Sequence, residues 1–109
     1  MFTVRKHRLS EGLNHISMPR YAEPLCVDAL PNGLHLWYRG PHIVTTLSNR
    51  IFMVVDDGQA VEEAAYNVRY IGSITATHIR AHVFELVPIE RESRIEVTGY
   101  GEQLVGEGR

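Results

Sequence analysis

Two strand-like runs, Leu25 to Leu30 and Leu34 to Arg39, flank Pro31-Asn32-Gly33. Asn-Gly supplies the positive φ angles that tight hairpin turns need, so this stretch predicts a β-hairpin and restricts the fold more than any other. Period-two patterning recurs along the chain. Residues 2 to 9 place Phe2 and Val4 on one face and Thr3, Arg5 and His7 on the other, and Lys6 and Arg8 then replace the apolar face, as in a strand leaving the core for water. Residues 10 to 24 hold Ser10, Gly12, Asn14, Pro19 and Pro24 and read as a loop. Arg50 to Asp56 contains the most apolar run, Ile51 to Val55, which suits a central strand covered on both sides. For the second cover, Val61, Ala64, Ala65 and Val68 fall at helical spacing behind Asp57 as a possible N-cap, against a structured loop as the alternative. Tyr70 to Thr77 and Ile79 to Val87 read as two further strands, with Gly72 marking a bulge or a close backbone approach. Arg94 to Thr98 alternates like a final strand, and four glycines between Gly99 and Gly108 predict a flexible tail. The expectation is a mainly β, antiparallel domain of about six strands over residues 1–100. At most one short helix lies near residues 59–69, and a Gly-rich tail covers 101–109.

A chain of 109 residues is the size of one domain and buries roughly two thirds of its unfolded surface, enough for a core without staples. Eleven Lys+Arg against thirteen Asp+Glu give a net charge of −2. That excludes a strongly basic nucleic-acid binder and is too mild for a polyanionic DNA mimic. The longest apolar run, Ile51 to Val55, is too short to span a membrane as a helix. The charged residues Arg5 to Arg8 occupy the place where a signal peptide needs an apolar segment. Cys26, the single cysteine, excludes an internal disulfide and fits a reducing cytoplasm, which is the expected location.

Six histidines, at 7, 15, 35, 42, 78 and 82, raise the question of a metal site. His78 and His82 share a face in a strand but stand about 13 Å apart at roughly 3.3 Å per residue. That is too far for one ion unless a bulge at Thr77-His78 intervenes. Candidates for nucleophilic catalysis are Ser17, Ser48, Ser73, Ser93 or Cys26 with a histidine and Asp28, Asp56 or Asp57. None of these serines sits in a Gly-x-Ser-x-Gly turn, and Cys26 lies in an apolar strand. Asp56 and Asp57 are chain neighbours that point apart, and no glycine loop is spaced to cradle a phosphate. The reading is therefore of a protein without catalytic activity, without a cofactor and without a metal.

Charge is uneven: residues 1 to 54 carry a net +3 and residues 55 to 109 a net −5. Arg5, Lys6 and Arg8 form the basic cluster, which serves either a phosphate or acidic partner surface or an edge strand guarded against aggregation. Ten of the eleven basic residues are arginine, whose planar fork suits interfaces. In the second hairpin strand Leu34, Leu36 and Tyr38 share one face, and His35, Trp37 and Arg39 the other. Trp and Arg together are hot-spot residue types. The opposing reading, to which the single Trp tips the balance, is that Trp37 covers the second side of the sheet.

Several blocks resemble a family of small proteins of unknown function encoded by phages and prophages. They are the opening strand with Lys6-His7, Leu34-His-Leu-Trp37, the Ile51 to Val55 run ending in Asp57-Gly58, and Tyr70-Ile-Gly-Ser-Ile74 followed by His82-Val-Phe-Glu-Leu86. The resemblance implies a small cytoplasmic phage accessory protein. The expected function is binding to a bacterial host component, for example an anti-CRISPR-like block of a defence complex. Trp37, Tyr38, Arg39, Arg5, Lys6 and Arg8 are the contact residues for a host or phage protein. One alternative is a homo-oligomeric sponge for a small nucleotide, in which Arg39, Arg80, Trp37 and Tyr38 meet across a subunit interface and clamp phosphate and base. Another is a metal-dependent enzyme built on His78, His82 and a further histidine. Neither specific nucleic-acid binding nor a membrane association is expected.

Overall fold

A computed structural model describes residues 1–76 and 79–89. Seven strands follow one another: β1 (Phe2–Leu9), β2 (Gly12–Pro19), β3 (Glu23–Leu30), β4 (Gly33–Pro41), β5 (Leu47–Asp56), β6 (Tyr66–Ala76) and β7 (Ile79–Pro88). They form two antiparallel sheets, ordered β1-β4-β3 and β2-β5-β7-β6. One hydrophobic cluster joins the sheets: Leu9, Leu34, Leu36 and Tyr38 come from the first and Ile16, Met18, Phe52, Val54, Ala81 and Val83 from the second. The protein is therefore a sandwich whose alternating inner residues interdigitate, with one outer face on each sheet.

The predicted hairpin is β3–β4, and Leu30 pairs with Gly33 across Pro31-Asn32. Only Gly33 of this turn takes a positive φ, 129°, so Pro31 and Asn32 make the bend and glycine supplies the return. β5 lies inside its sheet between β2 and β7, as its doubly apolar run requires. Gly72 sits at the predicted irregularity, because the β6–β7 register shifts between Tyr70 and Gly72. A Cβ there would lie 3.0 Å from Val27 Cγ2 of β3, so the missing side chain lets the two sheets close together.

Three expectations change. Among the described residues there are seven strands rather than about six, because residues 12–19 form β2 instead of a loop. Ile16 and Met18 are fully buried, and their burial outweighs the turn-forming composition around them. No helix occurs among the described residues, so the 59–69 stretch is a loop running into β6. Two of its four apolar positions are alanines, too little area to hold a helix on the sheet, and Asp57 turns its carboxylate to His82 rather than capping. The Phe2 and Val4 face of β1 points outward at 58% and 47% exposure, and Leu9 is the residue of β1 that enters the core. The predicted strand at 94–98 and tail at 101–109 lie outside the described residues.

Candidate functional site

The outer face of the three-stranded sheet gathers most of the residues singled out in the sequence. In the β1–β4 register Val4 faces Arg39, Lys6 faces Trp37, and Arg8 faces His35. Trp37 is half-buried on this outer face, with Leu36 and Tyr38 on either side of it directed inward. It therefore does not fill the space between the sheets. Lys6 Nζ stands 5.6 Å over the Trp37 ring, and the Arg39 guanidinium 4.9 Å over Phe2. Arg39 also donates to Glu23 at 2.8 Å. Both partners of that pair are well exposed, so it contributes at most about 1 kcal/mol, and its main effect is to fix the fork in place. Cys26 follows a bulge in β3 and pairs with Trp37 at the margin of the same patch.

Three other predicted contacts are placed differently. Tyr38 is 7% exposed within the core and offers no ring to a partner. Arg5 donates to the carbonyls of Pro41 and His42 at 3.4 and 3.3 Å, tying the edge strand to the end of β4. Arg8 is exposed and lies against Gly33. β1 is an edge strand, so its cations also match the protective reading of the cluster. Within one chain the nucleotide clamp does not assemble: Arg80 belongs to β7 in the other sheet, and Tyr38 is buried.

The histidines separate in the same way. His35 is buried on the outer face of its sheet, and its Nδ1–H donates to the Gly33 carbonyl at 3.0 Å, which makes it a satisfied structural histidine. His42 contacts Thr3 Oγ1 at 2.8 Å, and His7 donates to the Arg8 carbonyl at 2.8 Å. His78 lies outside the described residues. Among the described residues no three His, Cys, Asp or Glu side chains gather as metal ligands.

His82 stands in an arrangement the sequence did not reveal. The two halves of the Tyr70–Ser73 and His82–Glu85 motifs are cross-strand partners, with Tyr70 opposite Phe84 and Ser73 opposite His82. On the outer face of the four-stranded sheet, Tyr70 Oη meets Ser73 Oγ at 2.7 Å, Ser73 Oγ meets His82 Nδ1 at 2.8 Å, and His82 Nε2 meets Asp57 Oδ1 at 2.6 Å. The hydrogen bond from His82 comes first in holding the Asp57 carboxyl below its usual range, and the charges of His82 and Arg80 act in the same direction. An ionised Asp57 accepts only, so Nε2–H donates to it. With the imidazole neutral, Nδ1 then accepts from Ser73 and Ser73 from Tyr70. Beside this chain, Met53, Val61, Val68, Phe84 and Leu86 line an apolar groove of about 220 Å³ with Glu63 at its rim.

On the inner side, Glu85 receives Arg50 at 2.7 and 2.9 Å and Arg69 at 2.7 Å. Burial pushes its carboxyl up, but the hydrogen bonds and charge of Arg50, followed by those of Arg69, prevail and hold it below the usual range. Arg50 also donates to the Ala22 carbonyl. Glu85 thus ties β5, β6 and the turn before β3 to β7. It is a structural centre that the terminal Glu of His82-Val-Phe-Glu marked without revealing its partners.

The family described as a domain of unknown function, DUF7352, matches residues 1–94, and the chain belongs to that family. No curated protein and no solved structure matches. Among the described residues no helix is long and apolar enough to cross a membrane.

Proposed function

We propose that this member of the DUF7352 family is a binding protein that grips a protein partner through the outer face of its three-stranded sheet. The observation that carries the reading is the pairing of Trp37 with Lys6 and of Phe2 with Arg39 on that face. Aromatic rings with cations held over them are ordered before a partner arrives, so little side-chain entropy remains to be lost on docking. Exposed Val4 and Phe2 supply apolar area between the charges, and Trp37 and Arg39 are hot-spot types. Lys6, Arg8 and Arg39 fit an acidic surface with an apolar centre. The resemblance of the sequence to phage-encoded proteins supports placing the partner in a bacterial host, where a small domain of this kind blocks or sequesters a component such as a defence complex.

The test is affinity purification from host lysate with the wild-type chain, the W37A/R39E double variant and S17A, an exposed position on the other sheet. A stoichiometric protein retained by wild type and S17A and lost by the double variant is the expected result. Equal retention by all three, or none by any at micromolar protein, overturns the reading.

A further inference from the structure

From the hydrogen-bonded chain on the other outer face we infer that Ser73 is a nucleophile, with His82 as its general base and Asp57 as the group that orients the base and stabilises its imidazolium, in a site for small neutral carboxylic esters. This goes beyond the binding face and does not depend on it. Nucleophile, base and orienting acid each stand within hydrogen-bond reach of the next, at 2.8 and 2.6 Å. They come from three places in the chain: β6, β7 and the loop after β5. Backbone pairing sets two of them, since Ser73 and His82 are register partners. The imidazole is used in the orientation opposite to that of the usual serine hydrolases, with Nδ1 toward the serine and Nε2 toward the carboxylate. Proton transfer needs only that one nitrogen is free to accept while the other is held by the acid, and this orientation satisfies that requirement.

The surroundings define the substrate. His82, Asp57, Phe84, Val55 and Val61 line one open cleft, and Phe84 and Val61 also line the apolar groove, so an acyl chain seated there lies against His82, the hydrogen-bond partner of Ser73. Asp56, Asp57 and Glu63 border the cleft, with Arg80 paired to Asp57 at 3.7 Å, which disfavours an anionic substrate. Ser73 Oγ bonds to the carbonyl carbon as its proton passes to His82 Nδ1. The carbonyl electron pair moves to oxygen, where the Tyr70 hydroxyl, now 2.7 Å from Oγ, is the available donor. On collapse the C–O ester bond breaks, the alcohol leaves with the proton from His82, and water returns through the same base to release the acid and restore Ser73.

The full-length chain is treated with a fluorophosphonate probe, in which the new Ser73 O–P bond replaces P–F, and with p-nitrophenyl butyrate. Intact mass and peptide mapping locate the adduct, and circular dichroism verifies folding of each variant. The expected result is one adduct on Ser73, absent in S73A, formed about 10²-fold more slowly in H82Q, slowed also in D57N and unchanged in S17A. Ester turnover follows the same order. No adduct, an adduct elsewhere, or a rate on Ser73 indifferent to H82Q overturns the assignment.

Discussion

Glu85 is 3% exposed yet held ionised by two guanidinium groups, one of them on the half-buried Arg50. Removing the carboxylate strands Arg50, so E85Q is expected to cost about 3–5 kcal/mol in urea unfolding. The sign of the pH effect follows from the lowered native pKa. The stabilisation is fully present above the ordinary value of 4.5 and is lost as pH falls through the lower native value, where the unfolded chain takes up the proton more readily. Wild type should therefore lose stability on acidification below about pH 4.5, and E85Q should show a shallower slope over the same window. Gly72 gives a second residue-level prediction. Its missing Cβ leaves room for Val27 at 3.0 Å, so G72A should cost about 1–3 kcal/mol, and V27A should recover part of the loss in the double variant. Additive effects would remove the close-approach explanation.

At the scale of elements, alternation was legible wherever it coincided with β-forming residues. The β3–β4 hairpin, the central place of β5 and the irregularity at Gly72 all follow from local chemistry. β2 was hidden because Gly12, Asn14 and Pro19 carry turn signals, and the burial of Ile16 and Met18 is settled by pairing with β5, which is not a local property. The 57–65 segment misled in the opposite direction: helical spacing was present, but Gly58 takes a φ of 78° and the segment is anchored by a side chain instead of a helical ladder. The Ser73–His82–Asp57 chain was unreadable for a related reason. Its residues were all candidates, but only the β6–β7 register and the loop's return bring them together. Because Asp57 fastens this loop to β7, D57N should raise hydrogen-exchange rates of amides 58–65 without altering those of β5. Unchanged rates would show that Asp57 does not hold the loop.

The whole molecule is a sandwich with two unlike outer faces, one aromatic and cationic, the other an apolar groove closed at one end by a polar chain. Among the described residues one core cluster joins both sheets, so F52A, which empties a fully buried position, should cost about 3–5 kcal/mol and lower both sheets in one cooperative transition. Separate transitions would mean that the sheets are not one folding unit. The faces of such a sandwich are independent surfaces, and recognition is proposed for the one that carries Trp37. Site-specific photo-crosslinking tests that assignment most directly. A benzophenone side chain at Val4, within the patch, or at Ser17, on the opposite sheet, is irradiated in host lysate. One discrete crosslinked protein is expected from position 4, diminished by W37A, and none from position 17; the same adduct from both positions, or from 17 alone, would show that the partner does not dock on the Trp37 face.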